Sequence, residues 1–163
     1  MAIIKDSGER CQFYDSDGNP TAVRDIQEGK GRCDLMPLEV IHDALIYCGI
    51  NDRVMFALAA YKKDGNTNWL FKALVLFAEK AYNNSLPTMF LEVAKHFEDG
   101  AKKYGENNWQ KGIPTSCYMS SAIRHYLKYL RGDKDEPHDR AFVWNIMCCI
   151  WEVDFRENKN PQN

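Results

Sequence analysis

The chain has 163 residues, of which 45% are hydrophobic and 27% charged, a length that fits one domain burying roughly two-thirds of its unfolded surface. Its 21 Lys and Arg stand against 23 Asp and Glu, for a net charge of −2. No global field recruits nucleic-acid polymers or membranes, so any recognition is local.

Residues 1–34, including "YDSDGNPTAVRDIQEGKGRCD", show no sustained helical or strand period and read as an extended arm or loop. From Leu35 the pattern becomes helical: Pro37 suits a first helical position, and Leu38, Ile41, Leu45 and Cys48 share one stripe. The apolar runs "VMFALAAYKK" and "WLFKALVLFAEKAY" are separated by the turn-forming "DGNTN", which predicts a helical hairpin. Further helices are predicted over 89–103, 119–131 and 139–153, and strand signals are absent. The expected fold is all-α, a single domain over 1–163 with an arm at 1–34 and a helical domain at 35–163.

In the helix at 89–103, Phe90, Val93, Ala94, Phe97, Ala101 and Tyr104 fall on one stripe, with Glu98 at its edge. Glu98 is therefore expected to be half buried, paired either with Lys102 one turn on or with a metal. In "MSSAIRHYLKYL" the stripe is Met119, Ala122, Ile123, Tyr126, Leu127 and Leu130, leaving Arg124 and His125 on opposite flanks. Arg124 can serve a phosphate or simply meet water. The last helix, "RAFVWNIMCCIWEV", is apolar nearly all round and should be central. Asn145 in its middle needs a partner, either a substrate or a ligand-bearing side chain. Just before it, "GDKDEPHD" gathers Asp133, Asp135, Glu136, His138 and Asp139, which read either as solvated capping groups or as a hard-metal site for Mg²⁺ or Mn²⁺.

The six cysteines form no Cys-x-x-Cys pair and no zinc-like spacing with His, which suits a reduced, intracellular protein, and Cys148 and Cys149 are expected to be buried and inert. The start "MAIIKDSGER" lacks a leader pattern, and no stretch reaches the ~20 apolar residues of a membrane span. A soluble, cytoplasmic protein with no membrane partner is expected.

Four blocks, "TAVRDIQEGKGRCDLMP", "GAKKYGENNWQKGIP", "SAIRHYLKYLRGD" and "DEPHDRAFVWN", occur in an order that resembles the phage-associated dATP/dGTP diphosphohydrolase family, itself similar to the all-α MazG-like nucleoside triphosphate pyrophosphohydrolases. The resemblance runs from about 22 to 151, with the hairpin at 43–88 reading as an insertion. It implies a MazG-like helical bundle that cleaves a deoxypurine triphosphate between the α and β phosphates, in host cytoplasm if phage-encoded. It also implies Mg²⁺ held by carboxylates from two helices, and assembly into homodimers or higher homo-oligomers. Glu136-x-x-Asp139 matches one carboxylate pair of that pattern. No Glu-x-x-Glu stands near Glu98, and His138 lies inside the acidic cluster, so a different metal geometry is expected.

On this basis Glu98 with some of Asp135, Glu136, His138 and Asp139 would hold the metal, and a carboxylate or His125 would take the proton of the attacking water. Lys30, Arg32, Lys103 and Arg124 are candidate phosphate contacts. Tyr104 and Trp109 offer flat surfaces to a purine whose edge Asn107 or Asn108 would read. The same aromatics can instead be core anchors, and the asparagines left-handed turn residues after Gly105. The missing Glu-x-x-Glu motivates a second reading, a non-catalytic protein that sequesters a nucleotide or a nucleotide signal. A helical interaction module that dimerises through its central helix is a third.

Overall fold

The computed structural model describes residues 3–6, 10–25 and 29–156. Where an irregular arm was expected, β1 (Ile3–Asp6), β2 (Arg10–Tyr14) and β3 (Pro20–Asp25) form a three-stranded antiparallel sheet in chain order. This corrects both the arm and the absence of strands. Two short alternations produce it: Cys11 and Phe13 of β2, and Ala22 and Arg24 of β3, turn inward while their neighbours stay more exposed. Asp15 builds the connecting turn, its carboxylate accepting the backbone N–H groups of Asp17 at 2.9 Å and Asn19 at 2.8 Å. Ile26, Gln27 and Glu28, which belong to the first sequence block and the "EGKGR" loop, lie outside the described residues.

The rest is helical, as expected: α1 (Leu38–Tyr47), α2 (Arg53–Asp64), α3 (Asn68–Ala81), α4 (Leu86–Tyr104), α5 (Thr115–Arg131) and α6 (His138–Asp154). The hairpin α2–α3 is closed by Gly65, whose φ of 71° is the left-handed value that ends a helix. Helix α6 packs on α3, α4 and α5 and buries residues on every side, from Ala141 to Ile150. Phe77 of α3 centres the aromatic core, its ring 4.6 Å from that of Phe142 and 5.1 Å from that of Tyr129. Among the described residues no helix is long and apolar enough to cross a membrane. All six cysteines are free, and burial raises the Cys148 and Cys149 thiols.

Helix α4 is rotated from the expected orientation. Met89 and Val93 are buried and His96, Phe97, Ala101 and Tyr104 half-buried, while Phe90, Ala94 and Glu98 face outward. The rotation brings His96 toward α6 and takes Glu98 to the surface.

Candidate functional site

Helices α5 and α6 run back to back through a turn begun by Gly132, so residues near that turn meet across it. His125 and His138, thirteen residues apart, face each other with their Nδ1 atoms 3.0 Å apart, one donating and the other accepting. Glu136 in the turn brings Oε1 to 3.9 Å from His125 Nδ1 and 3.8 Å from His138 Nδ1. On its other side, buried His138 sets Nε2 2.8 Å from Asp135 Oδ1, and the second oxygen of Asp135 accepts the Lys128 ammonium at 2.8 Å.

The electrostatics keep His125 uncharged. Burial, reinforced by Arg124, pushes the His125 imidazole from 6.5 down to about 3, so it is neutral near pH 7. Lys128 first, then His138, hold the Asp135 carboxyl well below the usual range. Two imidazoles and a carboxylate within reach of one point form a donor set for a divalent cation. A second grouping, Asp133 with Asp135 and His138, is less open because Arg131 engages both oxygens of Asp133.

This cluster borders a cleft of about 960 Å³ between β3, α4, the turn after it, α5 and α6. His125 and Glu136 stand in its wall with the cations Lys30, Lys103, Arg124 and Lys128. Tyr104 lines it with cations flanking its ring, Lys103 at 5.2 Å and Arg10 at 5.5 Å. Trp109 lines it too, and is anchored edge-on against Phe97 at 5.5 Å and Trp151 at 5.0 Å. The Gly31 carbonyl accepts from Arg124 Nη1 at 3.4 Å, tying the glycine loop to α5, and Arg124 Nη2 donates to Ser121 at 2.9 Å.

Two predicted amides have inward duties. The Asn145 Nδ2 donates to the Ala141 carbonyl at 2.8 Å, and its Oδ1 accepts from Arg24 Nη2 at 2.7 Å. Arg24 is only 8% exposed, and its guanidinium lies 5.1 Å from the Tyr118 ring and 5.8 Å from that of Trp144. Asn108 donates to the Val23 carbonyl at 2.7 Å and accepts the Val23 N–H at 2.9 Å, which clamps β3 beside Arg24 and leaves little amide for a base. Asn107, at φ 58°, is the left-handed residue of the turn. Asn108→Ala is expected to strand both half-buried Val23 groups and cost about 1–3 kcal/mol, read by thermal denaturation.

Other predicted residues are not gathered. Glu98 touches the cleft, but its side chain is 64% exposed and takes the Lys102 ammonium at 2.5 Å, and it belongs to neither group of metal-competent ligands. That corrects the half-burial expected of it, through the rotation of α4, and shows the Lys102 pair that was one of its two expected partners. Arg32 forks onto Asp34 at 2.7 and 2.5 Å and does not line the cleft. Asp139 accepts the Tyr82 hydroxyl at 2.9 Å and belongs to neither group of metal-competent ligands.

Sequence reasoning missed Arg24, His96, Lys128 and Trp144, all of which line the cleft. Burial pulls the His96 imidazole below 6.5, and its ring lies 5.5 Å from that of Trp144. Lys128 was legible, since it follows Arg124 by one helical turn and so shares its face.

A family model described as dATP/dGTP diphosphohydrolase, N-terminal, matches residues 73–162. The match covers His125, Glu136, His138 and the helical walls of the cleft, while the strand bearing Arg24 precedes it. No curated protein and no solved structure matches the chain.

Proposed function

We propose that this chain, which belongs to the dATP/dGTP diphosphohydrolase N-terminal family, hydrolyses deoxypurine nucleoside triphosphates to monophosphate and pyrophosphate with a divalent cation. The observation that carries this reading is the meeting of His125 and Glu136, in the wall of a cleft that also presents cations and aromatic rings, with the buried His138 behind them. Two imidazole nitrogens and a carboxylate suit Mn²⁺ better than Mg²⁺, which prefers oxygen throughout. His125, His138 and Glu136 would hold the ion, with Asp135 orienting His138 from behind. When bound, the ion would polarise a phosphoryl oxygen and make water a better nucleophile.

The remaining work falls to the chain's own groups. Lys30, Lys103 and Arg124 donate to phosphate oxygens, and the half-buried Arg124 does so with less competition from water. Tyr104 and Trp109 offer apolar faces to the purine. His125, held neutral, is better suited to be a ligand than a base, because a group with so low a pKa keeps a proton poorly. The proton of the attacking water goes to Glu136, which is half exposed and has a second carboxylate oxygen to spare. Exposed apolar side chains, among them Val40 and Tyr47 of α1 and Leu91 of α4, support assembly with further copies of the chain in the cytoplasm.

The test is incubation of purified protein with a panel of dNTPs and NTPs, with and without Mn²⁺ or Mg²⁺, followed by ion-exchange chromatography. The expected result is equal monophosphate and pyrophosphate from dATP or dGTP, dependent on metal, abolished in Glu136→Gln and retained in Glu98→Gln. Intact nucleotide that co-elutes with the protein would overturn the hydrolase in favour of a sequestering protein.

A further inference from the structure

Arg24 is a charged side chain in the interior with no carboxylate against it. Among the described residues it makes no ion pair; its Nη2 is held by the neutral amide of Asn145, and its buried Nη1 has no partner. A buried cation is expensive unless a counter-charge compensates it, and an unmade hydrogen bond adds to that cost. A second donor in the same wall is in the same condition: the Trp144 indole Nε1–H is buried and unpartnered. Burial, and then Arg24 itself, pull the Arg124 guanidinium below its ordinary range, so two like charges are drawn together here.

We propose that Arg24 is the anion receptor of the cleft, its unpartnered guanidinium nitrogen taking a phosphoryl oxygen of the bound nucleotide, with the Trp144 indole N–H as a second donor. The inference rests on the nucleotide reading of the cleft and extends it, because β3 lies outside the matched family segment. The sheet then has a function. It carries a charge into the helical domain, and Asn145 and Asn108 fix it there, the first through the guanidinium and the second through the neighbouring backbone. The rings of Tyr118 and Trp144, 5.1 and 5.8 Å from the guanidinium carbon, keep it poorly hydrated, the state in which a charge-assisted hydrogen bond is strongest.

Three ligands separate the possible anion sources and roles: dATP, inorganic pyrophosphate and deoxyadenosine. Titrated into ¹⁵N-labelled wild-type protein, dATP should shift the Trp144 indole signal, identified by its loss in Trp144→Phe, and pyrophosphate should shift the same signal. Deoxyadenosine should leave it in place. In Arg24→Gln, and to a smaller degree in Arg24→Lys, the affinity for dATP should fall about 10- to 100-fold while that for deoxyadenosine holds. Equal losses for dATP and deoxyadenosine would overturn the proposal, since they would mark Arg24 as part of the scaffold. Should the variants not fold, dATP binding to wild type without movement of the Trp144 signal overturns it equally. The nucleotide reading itself fails if neither dATP nor deoxyadenosine binds, so the two failures are distinguishable.

Discussion

Replacing His138 with alanine is expected to lower dATP and dGTP turnover about 10²–10⁴-fold, the share of the barrier that one bound cation supplies. His138 joins the two halves of the cluster: one nitrogen meets His125 at 3.0 Å, and the other meets Asp135 at 2.8 Å. Its loss removes a nitrogen donor and releases Asp135 to Lys128. Because His138 is buried, circular dichroism must first confirm that the variant folds, and His125→Gln serves as the companion at the partly exposed end. Turnover within about threefold of wild type in both folded variants would show that the pair contributes nothing to the transition state.

Asp52→Ala should be the most destabilising of the simple truncations, at about 3 kcal/mol. Asp52 is fully buried at the head of α2, where it accepts the Met55 N–H at 2.8 Å, the Tyr126 hydroxyl at 2.7 and 2.6 Å, and the Lys80 ammonium at 3.1 Å. The cap is worth about 1 kcal/mol and the stranded buried hydroxyl about 1–3. The midpoint of thermal unfolding should drop by about 6–12 °C. Burial alone would raise the Asp52 carboxyl, but Tyr126, the Met55 N–H and Lys80 outweigh it and hold it below 3.8. A carboxyl depressed in the folded state stabilises above its unfolded pKa. The contribution is therefore intact above about pH 4 and drains away as the pH falls through the folded value. Asp52→Ala, lacking it, should lose stability less steeply below about pH 4 than the wild type does, as followed by denaturant titration at a series of pH values.

The helices were legible because each carries a long apolar period, and α6 could be placed at the centre because it is apolar all round. The sheet was hidden for a physical reason. Its strands are five and six residues at most beyond β1, and one of the four inward positions is Arg24, so apolar alternation is broken where the fold places a charge. The phase of α4 was ambiguous in sequence, since Phe90 and Met89 compete to define the stripe. Packing against α6 settled it, exposing Glu98 and turning His96 inward. Within the site, His125, Glu136 and His138 could each be singled out from type and neighbourhood, but their convergence could not. It depends on how two helices meet across a short turn. Asn145 was recognised as needing a partner, whereas the identity of that partner, an arginine 121 residues away, is a tertiary fact.

The histidine-held metal is tested most directly by pulsed electron paramagnetic resonance of the protein loaded with Mn²⁺. The spectrum should show ¹⁴N couplings from imidazole, reduced in His125→Gln and lost in the double variant with His138→Ala. A bound Mn²⁺ ligated by oxygen alone, with a spectrum that neither substitution alters, would contradict it and move the metal away from the histidine pair.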